Sequence, residues 1–234
     1  MLKKVFFDLD GTLVDQKGAQ NKAAREFFLR YDFSRKTDEE TFVREWEAIT
    51  VRQYDLYLSG QCTYFEQRER RIEELFGHFC ADRGEKSSME IYNEYLSLFE
   101  KNWRAFPDAG DCLKRIKKQG LRLGVITNGN GQQQKKKLES CGLDGYFEDL
   151  TAGDDLGLTK RDRALFEEAY RNSEMNPGEA VYIGDDYCYD AVPCLDIGTP
   201  CIIVNRNNAP VKSGPLAVVR SLSEVPGIIR SIVG

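Results

Sequence analysis

Apolar and polar positions divide this chain into three regimes. It opens on Val5-Phe6-Phe7-Asp8-Leu9-Asp10-Gly11-Thr12-Leu13-Val14, an apolar run stopped by two acids and a Gly-Thr turn. Such a run predicts a buried strand. From about Gln16 to Arg104 the period becomes helical. Phe42, Trp46, Ile49 and Gln53 recur at three- and four-residue spacing, as do Phe65, Arg68, Ile72, Leu75 and Phe79, and then Tyr92, Tyr95, Phe99 and Trp103. These stripes predict the core of a helical bundle. Thr37 with Glu40 and Ser87 with Glu90 have capping-box spacing and predict two of its helix starts.

After Phe106-Pro107-Asp108 helices and strands alternate. Leu113 and Ile116 lie on a short predicted helix stopped by Gly120, and residues 121–126 form a predicted strand. A Lys-rich helix follows, ending near Cys141-Gly142. Residues 162–172 read as a helix with Leu165, Phe166, Ala169 and Tyr170 on one face, and residues 180–183 and 201–204 as strands. Alternation of this kind predicts an α/β, doubly wound, Rossmann-like parallel sheet. The first strand belongs to that sheet, so the expected organisation is a core of residues 1–15 and 105–234 interrupted by an all-helical domain of residues 16–104.

Composition narrows the functional classes. A 234-residue chain with 41% hydrophobic residues supports a real core, and 30% charged residues a soluble surface. A net charge of −5 gives no reason to expect nucleic acid or a membrane surface as partner. No apolar run reaches the roughly eighteen residues of a membrane span. Met1-Leu2-Lys3-Lys4 leads straight into the strand without a signal-peptide pattern, and seven dispersed cysteines lack a CxxC pair, so reduced thiols and a cytoplasmic location are expected. With one histidine, His78, and no clustered thiols, a zinc site is not expected. His78 is read as decorating a helix.

In open parallel sheets ligands bind beyond the carboxyl ends of the strands, and the notable polar residues stand there. Asp8 and Asp10 end the first strand. Two carboxylates so close repel and lose hydration, so they call for a cation, a proton or donors, and carboxylate oxygens are ligands that Mg²⁺ prefers. Thr127 and Asn128 end the second predicted strand, with a hydroxyl and backbone amides suited to phosphate oxygens. Lys160 precedes a helix in Gly157-Leu158-Thr159-Lys160-Arg161-Asp162. The run Val181-Tyr182-Ile183-Gly184-Asp185-Asp186-Tyr187-Cys188-Tyr189-Asp190 is again a strand ending in acids.

These four segments, in this order, resemble the motifs of the haloacid dehalogenase superfamily, phosphatase branch, with a helical cap inserted after the first motif. The resemblance implies Asp8 as nucleophile and Asp10 as acid/base, Thr127, Asn128 and Lys160 as phosphate-binding residues, and Asp8, Asp10 and Asp185 at Mg²⁺. Asp190 is then a supporting acid, and Asp186 faces solvent. Relatives often carry proline after the lysine, where this chain has Arg161. The implied activity is Mg²⁺-dependent hydrolysis of a small phosphorylated metabolite through an aspartyl-phosphate, by a monomer or homodimer. Trp46 followed by Tyr57-Leu58-Ser59-Gly60 resembles the nucleotidase and sialic-acid phosphatase group. A sugar phosphomutase is the alternative, although its relatives carry a histidine soon after the first motif and residues 15–25 contain none. Dehalogenation is disfavoured by the acid at Asp10, and a phospho-ligand sensor by the full set of Asp8, Asp10, Lys160 and Asp185.

Overall fold

A computed structural model describes residues 1–233. In chain order its elements are β1 (Lys4–Phe7), α1 (Gln16–Arg30), α2 (Glu39–Leu58), α3 (Tyr64–His78), α4 (Ser88–Lys101), α5 (Ala109–Lys117), β2 (Arg122–Thr127), α6 (Gly131–Ser140), β3 (Asp149–Ala152), α7 (Gly153–Leu156), α8 (Arg163–Asn172), β4 (Ala180–Gly184), a π-helical turn (Tyr187–Ala191), α9 (Val192–Asp196), β5 (Cys201–Val204), β6 (Ala217–Val219) and α10 (Val225–Val233). Short 3₁₀ turns connect several of these. No described helix is long and apolar enough to cross a membrane. The chain divides into two compact units, Met1–Gln16 with Arg104–Gly234, and Lys17–Trp103.

The first unit is built on a six-stranded, fully parallel sheet in the order β3-β2-β1-β4-β5-β6. Successive side chains of a strand point to opposite faces, and the core follows that rule. Val5 and Phe7 join Leu123, Val125, Val181, Ile183, Ile202 and Val204 in one cluster with α5 and α10. Phe6 joins Ile126, Tyr182, Cys201 and Ile203 in the opposite cluster with α8 and α9. Both faces are therefore covered, and β1 is central, between β2 and β4. The crevice at the reversal of strand order opens beyond its carboxyl end. Gly124 on β2 is required by this packing, since a Cβ there would lie 2.7 Å from the Phe6 ring. Buried Lys4 on β1 is an uncommon strand residue. Its ammonium is satisfied by the Asp149 carboxylate on β3 and by Ser173 at 3.2 Å.

The second unit holds α1 to α4 around an aromatic core. Phe33 lies 4.7 Å from Phe42 and 5.1 Å from Phe76, and Trp46 lies 4.5 Å from Tyr95, all between ring centroids. Edge and tilted ring contacts of this kind add about 0.5–1.5 kcal/mol each beyond their buried area. Ser87 and Glu90 form the expected capping box on α4. The other predicted helix start is corrected: Asp38, not Thr37, caps α2 by accepting from the Thr41 amide at 2.9 Å. A capping box not predicted, Thr63 with Glu66, starts α3. Phe65 also departs from its predicted stripe and is exposed. As the second residue of α3 it falls one position off the face that Tyr64, Arg68, Ile72 and Leu75 share.

Candidate active site at the ends of the central strands

Three strand ends meet at the crevice: Asp8 and Asp10 follow β1, Thr127 closes β2, and Asp185 follows β4. The approach is close enough to require glycine. Gly11 has φ +92°, a left-handed conformation that costs glycine little, and any Cβ there would run into the Asp185 carboxylate. The Gly11 amide donates to the Val14 carbonyl at 2.9 Å, closing the turn after the two acids.

Asp8 is buried. Its Oδ1 accepts from the Lys160 ammonium, while its Oδ2 is buried with no hydrogen-bond partner among the described residues. Lys160, also buried, donates from the same Nζ to Asp190 Oδ1 at 2.8 Å. Asp190 is further tied by the Tyr182 hydroxyl at 2.9 Å and the Asp186 amide at 2.9 Å. Carboxylate oxygens of Asp8, Asp185 and Asp190 lie within 4.8 Å of one another.

Burial pushes the Asp8 carboxyl up to about 7, with Lys160 working against the rise and Asp190 adding to it. Asp185 keeps contact with water as a residue, but its carboxyl faces the other anions. Loss of hydration, then repulsion from Asp8 and Asp190, pushes it up to about 8. Lys160 stays charged: desolvation lowers its affinity for the proton, and Asp190 and Asp8 more than reverse that. Shifts of this size, caused by a buried cluster of like charges, mark sites that chemistry uses.

The donor set fits a hard divalent cation. Among the described residues Asp8 Oδ2 is an unpaired buried oxygen, and Asp185 is an exposed residue whose carboxylate accepts from the Thr12 hydroxyl at 3.3 Å. A buried unpaired oxygen beside an exposed carboxylate suits Mg²⁺, which keeps several of its waters. Asp190 is a poorer candidate, because both of its oxygens already accept hydrogen bonds.

The remaining residues singled out in the sequence are placed as follows. The Asp10 carboxylate is turned to α6, where Lys137 donates at 2.6 and 2.8 Å and Gln134 at 2.9 Å. It is not one of the three clustered carboxylates. The Thr127 hydroxyl is buried, accepts from Gln134 at 2.9 Å and donates to the Asn128 carbonyl at 3.0 Å. Asn128 Oδ1 accepts from the Lys160 amide at 2.8 Å, so this residue holds the lysine loop. Asn130 caps α6. Asp186 is exposed and accepts from the Cys188 and Tyr189 amides at 2.7 and 2.9 Å, starting the π-helical turn. Where relatives often have proline, the Arg161 guanidinium bonds the Tyr189 hydroxyl and stacks 4.9 Å from that ring's centroid. The loop around it is closed by Asp162, which accepts from the Thr159 amide and hydroxyl, both at 3.0 Å.

Known proteins resemble this chain over most of its length. Residues 5–204 match the family model of haloacid dehalogenase-like hydrolases. The chain belongs to that family. Among curated relatives, glyceraldehyde 3-phosphate phosphatase of Methanothermobacter thermautotrophicus is 29% identical over 210 residues, covering 88% of this chain and 86% of its own. Human N-acylneuraminate-9-phosphatase is 26% identical over 245 residues, covering 99% and 95%. A magnesium-bound crystal form of a Bacillus subtilis protein described as a HAD-hydrolase shares the fold, with a TM-score of 0.84, 20% identity and coverage of 98% and 99%.

For a haloacid dehalogenase-like hydrolase, three contributors to this site escaped the sequence reading: Gln134, Lys137 and Tyr182. A signal for the first two was present. They are three residues apart on α6, hence on one face, inside a Lys-rich stretch otherwise read as solvated. Tyr182 is a phenol in an aliphatic strand, and its hydroxyl bridges Asp190 to the Ile126 carbonyl at 3.1 Å. Nothing in the spacing assigns it that role.

Proposed function

We propose that this hydrolase is a Mg²⁺-dependent phosphomonoesterase acting on a small phosphorylated metabolite through an aspartyl-phosphate. One observation carries the reading: Asp8 Oδ2 is buried without a hydrogen-bond partner among the described residues, while Oδ1 is neutralised by Lys160 and Asp185 stands beside it. The family membership and the phosphatase names of the curated relatives support it.

In this reading Asp8 Oδ2 forms the new bond to phosphorus as the ester P–O bond breaks, and Asp10 gives the leaving oxygen its proton. Water then attacks phosphorus, the Asp8–phosphorus bond breaks, and Asp10 takes the proton back. Lys160 offsets the repulsion between the Asp8 anion and the phosphate, with Asp190 fixing its ammonium. Thr127 and Asn128 border the phosphate, and Asn128 also holds the lysine loop in place. Mg²⁺, held by Asp8 and Asp185 beside the Asp10 turn, would screen phosphate charge. Lys137 and Gln134 keep Asp10 in one orientation. The helical residues 16–104 are assigned the role of a substrate-selecting cap. Seven free thiols without a disulfide support a reducing, cytoplasmic setting, and a monomer or homodimer is the expected state.

The test is phosphate release from a panel of phosphorylated metabolites with Mg²⁺. Turnover should vanish in excess EDTA, and Asp8→Asn should abolish both turnover and covalent labelling by phosphate. Undiminished turnover in EDTA sinks the metal assignment, and a phosphoenzyme in Asp8→Asn sinks the nucleophile.

A further inference from the structure

Helix α3 buries two arginines that no carboxylate among the described residues pairs with. Arg68 is 9% exposed and Arg71 7%. With Tyr64 and Gln67 they occupy positions i, i+3, i+4 and i+7, one helix face. Both guanidiniums lie against the same ring on α4, at 5.1 Å (Arg68) and 6.0 Å (Arg71) from the Tyr92 centroid. Arg68 also stacks 3.9 Å from the Tyr64 centroid and bonds the Tyr64 hydroxyl. Yet the Nε of each arginine is buried without an acceptor, and Gln67 Oε1 is buried without a donor. Among the described residues no acid forms an ion pair with either arginine. The acids that follow on α3 are engaged elsewhere: Glu73 with Ser88 at 3.4 Å, and Glu74 with Arg52 and Gln53.

A tyrosine face offsets only part of the desolvation of a guanidinium, and two like charges sharing one ring repel. A buried charge without a partner is among the costliest features a fold can carry, and buried ion pairs lose most when one member is missing. The missing member is an anion. Arginine presents planar N–H forks that match carboxylate and phosphate oxygens, and the unpaired Gln67 oxygen is an acceptor suited to a hydroxyl next to such a group. We propose that the Arg68–Arg71 face of the helical unit binds a small oxyanion, either a carboxylate or a tetrahedral phosphate- or sulfate-like group. This assignment does not depend on the phosphatase reading.

Both tryptophans, Trp46 and Trp103, belong to the helical unit. Tryptophan fluorescence therefore reads this unit, and Asp8→Asn serves as the control for anions bound at the strand-end acids. The full chain in EDTA is titrated with sodium sulfate and, separately, sodium acetate, against sodium chloride at matched ionic strength. The expected result is a saturable change with at least one of the two: sulfate alone assigns a tetrahedral group, acetate alone a carboxylate. Arg71→Met should weaken the apparent affinity about tenfold or more, as should Arg68→Met, while Asp8→Asn should leave it unchanged. Thermal unfolding supplies a second readout that survives if fluorescence is silent. Without added anion, Arg71→Met should melt at or above the parent temperature, because an uncompensated charge has been removed. Saturating anion should raise the parent melting temperature and not the variant's. A response that is absent in both readouts, persists in Arg71→Met and Arg68→Met, or disappears in Asp8→Asn overturns the proposal. So does an Arg71→Met protein that melts well below the parent without anion, which would make the arginine a structural strut.

Discussion

Replacing Lys160 with methionine isolates the electrostatics of the site. Methionine fills a similar volume, so little cavity is left, and the change is one of charge. In the folded protein the Lys160 ammonium serves two buried carboxylates, Asp8 and Asp190. Asp190 retains the Tyr182 hydroxyl and the Asp186 amide, whereas Asp8 loses the side-chain donor on its Oδ1. Removing one member of a buried ion pair costs about 3–5 kcal/mol, and that is the loss expected at pH 7.5 in EDTA, read from urea unfolding by far-UV circular dichroism. The pH dependence follows from the direction of the shift. Asp8 already holds its proton up to about 7, and Lys160 is what pulls it down, so the variant raises it further. A carboxyl raised in the folded state binds protons that the unfolded chain does not, so lowering the pH favours folding until the ordinary carboxylate range is reached. The deficit relative to the parent should thus shrink steadily from pH 8 to pH 5. Adding Asp190→Asn to Lys160→Met removes one of the stranded anions and should return about half of the lost stability without returning activity. A deficit under about 1 kcal/mol at pH 7.5, or one that grows on acidification, would refute the reasoning.

Three further outcomes are expected. Gly184→Ala places a Cβ about 2.6 Å from the Asp190 Cβ; overpacking of this kind costs about 1–3 kcal/mol and, by displacing the residue that holds Lys160, should lower kcat more than it raises KM, whereas unchanged kcat in folded protein breaks that link. Lys137→Met frees the Asp10 carboxylate and should slow hydrolysis of an alkyl phosphate by about 10²-fold, the low end of acid–base contributions, while p-nitrophenyl phosphate, whose leaving group needs no proton, is slowed far less; equal losses would count against Asp10 as the acid. Asp108 accepts from Arg206 at 2.9 and 3.0 Å, Ser221 at 2.7 Å and the Leu222 amide at 2.9 Å. Burial works upward on its carboxyl, but these donors outweigh it and hold it below the usual range. The stability it lends is present above that range and lost as the pH falls through the folded value, so Asp108→Asn should cost about 1.5–3 kcal/mol at pH 7 and only about half as much near pH 3. An equal cost at both would show packing, and not charge, to be responsible.

The parallel sheet was legible in the chain wherever a strand was buried on both faces. β4 and β5 read as apolar runs within a residue of their observed ends. β3 and β6 were not read at all. The first is Asp-Leu-Thr-Ala, and the second has its first two residues partly or fully exposed, so neither leaves an apolar run. The helical unit was legible as stripes, because residues three and four apart share a face whatever packs against it. Its caps were less so: Asp38 and Thr37 offer similar side chains one residue apart, and only the backbone path picks the residue that faces the open amides.

The sequence by itself determined which chemistry stands at the strand ends. A carboxylate after β1, a hydroxyl closing β2, a lysine before α8 and acids after β4 follow from local order along four segments. Tertiary structure decided how those groups are paired. It gave Lys160 to Asp8 and Asp190, gave Lys137 and Gln134 to Asp10 across more than 120 residues of chain, and spent Asp186 on a helix start. It also left one oxygen of Asp8 bare. Periodicity and turn chemistry act over a few residues and so are written locally. The pairing of buried charges depends on which strand ends are brought within a few ångströms of each other, and on the water excluded when they meet, and neither exists until the sheet has formed.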